Sequence, residues 1–132
     1  MLVPDANQHI LLVVDDEEGM RITLADILED LDLLVDVACD GRQAVDKVRE
    51  RDYALALMDI RMPVMNGVTA LFEIKRLRPT MPVIMMTACA DQESMLESKR
   101  AGAEAILGKP LDIAQVIRLI SGVLARDRQP AI

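Results

Sequence analysis

Five short apolar runs, separated by amphipathic stretches, constrain the fold of this 132-residue chain more than any other feature. The runs are Ile10–Val14, Leu33–Val37, Ala54–Met58, Val83–Met86 and Ala103–Leu107. Four of them are nearly continuous in apolar character, which is typical of strands buried on both faces of a parallel sheet. The second run is interrupted by a charged residue, which favours an edge strand.

Apolar residues at helical spacing follow the runs. The clearest stripes are Leu24, Ile27, Leu28 and Leu31; Ala44, Val45 and Val48; Gly67, Ala70, Leu71, Ile74 and Leu77; and Ile113, Val116, Ile117, Ile120 and Leu124. The remaining segment, 91–101, carries only Met95 and Leu96 among many charges, so its helix has the thinnest apolar face. Five strands alternating with five helices predict an α/β fold with a doubly wound parallel sheet.

Composition and charge narrow the function classes. The net charge of −7 is a poor match to the phosphate backbone, so we expect no direct nucleic-acid binding. No apolar run reaches the length of a membrane span, and the start of the chain does not resemble a signal peptide. Two cysteines, Cys39 and Cys89, lack metal-ligand spacing and point to a reducing cytoplasm. Residues 1–8 are expected to be a disordered lead-in, 9–126 the domain, and 127–132 a tail or linker start.

Polar residues end four of the apolar runs. The first run ends in Asp15 and Asp16, the third in Asp59, the fourth in Thr87, and the fifth leads to Lys109. Each alone has an ordinary explanation, such as a helix cap for an aspartate. Their coincidence is informative because doubly wound sheets form their sites at the carboxyl ends of the strands.

The chemistry open to such a cluster is narrow. Packed carboxylates repel one another unless a cation neutralises them. All-oxygen ligation suits Mg²⁺, or Mn²⁺, and leaves coordination positions for a phosphate oxygen. An aspartate carboxylate can attack phosphorus to form an acyl phosphate, while a lysine stabilises the charge of the transferring group.

Several motifs together resemble the receiver domain of two-component response regulators over about residues 9–126. They are the start Leu11-Leu12-Val13-Val14-Asp15-Asp16-Glu17-Glu18, the segment Leu57-Met58-Asp59-Ile60-Arg61-Met62-Pro63-Val64-Met65-Asn66-Gly67, the pair Thr87-Ala88, and Ala101-Gly102-Ala103 running to Lys109-Pro110-Leu111. The resemblance implies a flavodoxin-like sheet with strand order 2-1-3-4-5. It also implies a phospho-accepting signalling switch that catalyses its own phosphorylation and slow dephosphorylation.

The resemblance implies a role for individual residues. Asp59 matches the aspartate that accepts a phosphoryl group from a phosphohistidine. Asp15, Asp16 and Asp59 match the Mg²⁺ ligands, with the backbone carbonyl of Arg61 completing the site and its side chain free to vary.

Further matches lie after the fourth and fifth strands. Lys109 matches the phosphate-pairing lysine and Thr87 the switch hydroxyl. Ala88 is small enough to leave room for the phosphoryl group. The bond between Lys109 and Pro110 matches a peptide that is commonly cis in the family.

Partners also follow from the resemblance. We expect a histidine kinase or histidine phosphotransfer domain as donor, docking near Gly19, Met20 and Thr23, and an output domain or protein that the sequence does not identify. We also expect a phosphorylation-dependent homodimer through the 91–126 face. One departure concerns Ile106, which stands where the family often has an aromatic residue that moves with the switch hydroxyl.

Three other functions remain as alternatives. An aspartyl-phosphate phosphatase would carry a second aspartate two residues after the nucleophile, where this chain has Arg61. A cofactor-binding flavodoxin-like module would need a phosphate-binding loop after the first strand. A degenerate receiver acting only as a scaffold would lack some of the five key residues, all of which are present.

Overall fold

A computed structural model describes residues 10–88 and 91–128 of the chain. The strands are β1 Ile10–Val14, β2 Leu34–Ala38, β3 Leu55–Asp59, β4 Val83–Thr87 and β5 Ala105–Gly108. The helices are α1 Glu18–Glu29, α2 Gly41–Glu50, α3 Gly67–Leu77, α4 Gln92–Arg100 and α5 Ile113–Arg128. The predicted lead-in 1–8, Cys89 and the end of the predicted tail lie outside the described residues.

The sheet is fully parallel and its order is β2-β1-β3-β4-β5, which confirms the expected fold class and strand order. The second run forms an edge strand, as its mixed character predicts. The register pairs Val14 with Met58 and Asp59 with Met86. The ends of the central strands therefore fall at one edge of the sheet, and the residues that follow them meet there.

Side chains alternate along each strand, so the sheet has a buried core on both faces. Residues such as Leu12 and Met58 pack on one face with the buried stripes of α2 and α3. Neighbours such as Leu11 and Leu57 pack on the opposite face with those of α1 and α5. Burial on both sides of β1, β3 and β4 explains why these strands have continuous apolar sequences.

The last residue of the predicted α1 stripe does not join the core. Leu31 was expected to extend the α1 stripe, but it is 45% exposed. The helix ends at Glu29, and the backbone turns through Asp32 at φ 63°. Because this turn redirects the chain before β2, Leu31 falls outside the helical periodicity.

Helix α4 is the least anchored helix, as its sequence predicts. Its buried residue is Ser98, whereas Leu96 is 48% exposed. The Ser98 hydroxyl makes no hydrogen bond with the described residues. A buried hydroxyl without a partner costs free energy, so the one side chain that α4 fully buries stabilises its position little.

Candidate functional site

Asp15 is held rigidly just after β1. It is fully buried, and its backbone N–H donates to the Ala38 carbonyl at 3.2 Å. Its Oδ1 accepts from the Glu17 N–H at 2.9 Å, which orients the carboxylate. The Arg21 guanidinium donates to its carbonyl oxygen at 2.8 Å. These contacts leave Oδ2 to face the centre of the site.

Asp59 is the last residue of β3 and is 7% exposed. Its surroundings depend on Gly67, the first residue of α3. A β-carbon at Gly67 would overlap the Asp59 carbonyl oxygen and lie 2.8 Å from the Ile60 Cα. Only glycine allows α3 to begin this close to the end of β3, and this close approach fixes the backbone that carries Asp59.

Lys109 joins the two buried aspartates. Its Nζ donates to Asp15 Oδ2 at 2.8 Å and to Asp59 Oδ2 at 3.1 Å, and its side chain is 12% exposed. Its backbone N–H donates to the Thr87 carbonyl at 2.8 Å, and the bond to Pro110 is cis, as expected. The residues that follow β1, β3 and β5 therefore meet within hydrogen-bond distance, as predicted.

The third carboxylate belongs to Asp16, which is exposed at the mouth of the site. One oxygen from each of Asp15, Asp16 and Asp59 lies within 4.8 Å of the others. Clustered carboxylate oxygens open to solvent on one side are the donor set that Mg²⁺ prefers, because it keeps several waters. The residues fit the ion that the sequence predicts.

The charges of the site are unbalanced without a divalent cation. Burial raises the pKa of the Asp59 carboxyl above its usual value, although the hydrogen bond from Lys109 opposes the effect and nearby Asp15 adds to it. Burial alone would lower the pKa of Lys109, but its hydrogen bonds to Asp15 and Asp59 raise it. Lys109 therefore stays protonated, and one cation serves two buried carboxylates.

The other predicted residues lie at the end of β4, on β5 and on α1. Thr87 ends β4 and is 2% exposed, and Ala88 after it is exposed. Ile106 is half-buried against the core cluster that contains α2 and α3. On α1, Thr23 is exposed and Met20 is half-buried. Gly19 is exposed as well.

One contact of the site was missed by sequence reasoning. Arg61, which was considered only for its backbone carbonyl, donates from its side-chain Nη2 to Asp91 Oδ2 at 3.1 Å. Asp91 is the N-cap of α4, because its Oδ1 accepts from the Ser94 N–H at 2.7 Å. An aspartate before a helix is a recognisable cap signal, but its pairing across 30 residues depends on loop conformation.

Comparisons with known proteins agree with this geometry. The sequence model of the response regulator receiver domain matches residues 11–121. The transcriptional regulatory protein ZraR of Escherichia coli O157:H7 is 40% identical over 87% of this chain and 26% of its own length. The chemotaxis protein CheY of Halobacterium salinarum is 39% identical over 86% of this chain and 95% of its own length.

Solved structures give the same answer. The CheY-like response regulator receiver domain protein from Methanospirillum hungatei JF-1 superimposes with a TM-score of 0.87 at 31% identity, covering 89% of this chain and 94% of that one. This chain thus spans about a quarter of the length of ZraR and almost all of CheY. Among the described residues, no helix has the length and apolarity needed to cross a membrane.

Proposed function

This chain belongs to the family of response regulator receiver domains, the switches of two-component signalling, and from that premise we propose that Asp59 is its phosphoacceptor. The observation that carries the proposal is the position of Asp59, nearly buried at the end of β3, bonded to Lys109 and clustered with Asp15 and Asp16. This arrangement combines a nucleophile, a counter-charge and a metal site within one small volume.

The transfer uses groups of this chain, a divalent cation and a phosphohistidine donor. A carboxylate oxygen of Asp59 attacks the phosphorus, the P–N bond of the donor breaks, and the imidazole leaves with its electron pair. The product is an acyl phosphate on Asp59. Lys109, already beside the attacking carboxylate, pairs with a phosphoryl oxygen, and the Thr87 hydroxyl donates to another.

A divalent cation would be held by Asp15, Asp16, Asp59 and the backbone carbonyl of Arg61. When bound, Mg²⁺ or Mn²⁺ supplies positive charge to the transferring phosphoryl oxygens. The chain then catalyses its own phosphorylation by small phosphodonors and its own slow dephosphorylation. Arg61 occupies the place of the phosphatase general acid, and a guanidinium does not donate a proton at neutral pH, which disfavours the phosphatase alternative.

Partners follow from the surface around the site. A histidine kinase or phosphotransfer domain approaches along the start of α1, where Gly19 and Thr23 are exposed and Met20 is half-buried. The face formed by 91–126 serves a phosphorylation-dependent homodimer. We propose that the conformational change on phosphorylation occurs in the loop after Thr87 and in α4, because α4 has the smallest buried apolar face. Ile106, stiff at χ1, stays packed.

Mg²⁺ is expected to raise both the stability of the protein and its rate of phosphorylation. At a concentration one hundred times the dissociation constant, binding adds about 2.7 kcal/mol to the free energy of unfolding. Thermal unfolding and the mass gain from acetyl phosphate, each measured with Mg²⁺ and with EDTA, check this. Asp16→Asn should reduce both effects, and Glu29→Gln, an exposed acid of α1 outside the cluster, should change neither.

Two results would contradict the proposal. One is uptake of the phosphoryl group at the same rate in Mg²⁺ and in EDTA. The other is an unfolding temperature that tens of millimolar Mg²⁺ do not move.

A further inference from the structure

Arg61 connects the phosphorylation site to α4 through its two ends. Its backbone N–H lies 3.4 Å from Asp59 Oδ1, so the residue adjoins the acceptor carboxylate. Its guanidinium reaches away and bonds Asp91 Oδ2 at 3.1 Å. The side chain is 66% exposed, so packing does little to hold it in this direction. Its orientation therefore depends on which anion attracts it more strongly.

The partner of Arg61 sits at the start of the least anchored helix. The two carboxylate oxygens of Asp91 have different partners. Oδ1 accepts from the Ser94 N–H and caps α4, and Oδ2 accepts from the Arg61 guanidinium. Helix α4 fully buries Ser98, a hydroxyl that makes no hydrogen bond with the described part of the chain. Because α4 buries so little apolar surface, a polar contact at its N-terminus contributes a larger part of the free energy that holds the helix in position.

We propose that Asp91 and a phosphoryl group on Asp59 compete for the Arg61 guanidinium, so that phosphorylation moves Arg61 away from α4. The phosphoryl oxygens carry more charge than an exposed carboxylate and match the guanidinium fork in a bidentate arrangement. The inference rests on phosphorylation of Asp59. It adds a ligand for the phosphoryl group and a route by which the site loosens α4.

Thermodynamic linkage makes this competition measurable. If the pair with Asp91 must break before Arg61 reaches the phosphoryl group, removing Asp91 must tighten the binding of a phosphoryl mimic. The variant Asp91→Asn is suited to the test, since asparagine is as good an N-cap as aspartate and keeps α4 capped.

The experiment measures the affinity for beryllofluoride with Mg²⁺ by NMR titration in wild type, Asp91→Asn, Arg61→Gln and the double variant. We expect Asp91→Asn to bind about twofold to fivefold more tightly, the range for an exposed ion pair. Arg61→Gln should bind more weakly, and adding Asp91→Asn to it should change nothing. Amide hydrogen exchange in 92–100 should accelerate on beryllofluoride addition in wild type and be fast from the start in Asp91→Asn.

Glu93→Gln is the matched control, because it removes a negative charge from the same helical turn without being the partner of Arg61. The inference is overturned if Glu93→Gln tightens binding as much as Asp91→Asn does. Equal affinities of wild type and Asp91→Asn, or an Asp91→Asn effect that persists without Arg61, would also overturn it. If wild type and all variants fail to bind beryllofluoride, the proposed function itself fails.

Discussion

Asp59→Asn is expected to abolish phosphorylation and, at the same time, to make the metal-free protein more stable. The amide cannot form an acyl phosphate, so labelling by acetyl phosphate falls to background. The variant also leaves Lys109 with one buried carboxylate, Asp15, instead of two. We expect the free energy of unfolding to rise by about 1 kcal/mol, the scale of a partly compensated like-charge contact. If labelling falls while the free energy of unfolding rises, the loss of labelling is not caused by unfolding of the variant.

The gain in stability should depend on pH in a defined direction. Burial raises the pKa of Asp59 in the folded protein. Below the pKa of the unfolded chain both states are protonated and the carboxyl carries no penalty. As pH rises through the folded pKa, wild type loses stability relative to the variant, because the folded state binds more protons than the unfolded state.

Denaturant unfolding in EDTA across this pH range measures the difference. Asp26→Asn, at an exposed position of α1, serves as control and should follow wild type. An Asp59→Asn variant that is less stable than wild type at neutral pH would refute the electrostatic account of the site.

Lys109→Met is expected to destabilise the metal-free protein by about 3 kcal/mol, the cost of breaking a buried ion pair by removing one partner. Methionine has a similar length, so the loss is chiefly of charge. Asp15 is fully buried and Asp59 nearly so, and both lose the bonds at 2.8 Å and 3.1 Å. Two adjacent carboxylates would then repel each other without a cation.

Chemical denaturation in EDTA and in Mg²⁺ distinguishes the contribution of the Lys109 charge to stability from the contribution of its packing. Mg²⁺ should restore most of the stability of Lys109→Met, and so should the second substitution Asp59→Asn. Arg42→Met removes an exposed pair with Asp46 and should cost under about 1 kcal/mol. A loss in Lys109→Met that neither Mg²⁺ nor Asp59→Asn reduces would mean that Lys109 acts through packing alone.

The sheet could be predicted because its central strands β1, β3 and β4 are buried on both faces, so their continuous apolar sequences reflect their burial. The apolar pattern predicts that β5 starts at Ala103, two residues before its observed start at Ala105. The Ala103 N–H donates to the Ser98 carbonyl, and Gly102 adopts φ 99°. These residues end α4 in a left-handed turn, so the apolar run includes a helix terminus as well as a strand.

Some parts of the site could be predicted from the sequence and one contact could not. Asp15, Asp59, Thr87 and Lys109 follow from sequence because the apolar pattern fixes where strands end, and parallel strands end at one edge. The ion pair between Arg61 and Asp91 joins two loops, and the hydrophobic periodicity of the sequence does not predict loop conformations. Helix capping identifies Asp91 as a helix start but leaves its second oxygen unassigned.

The most direct test of the phosphoacceptor is to locate the phosphoryl group on the wild-type chain. The protein is treated with acetyl phosphate and Mg²⁺, the acyl phosphate is reduced with borohydride to a stable alcohol, and peptides are sequenced by mass spectrometry. We predict a single modified residue, Asp59 converted to homoserine, and no conversion when EDTA replaces Mg²⁺. Conversion at Asp15 or Asp16 with Asp59 intact, or a phosphoryl group that survives acid on a serine or threonine, would contradict the account.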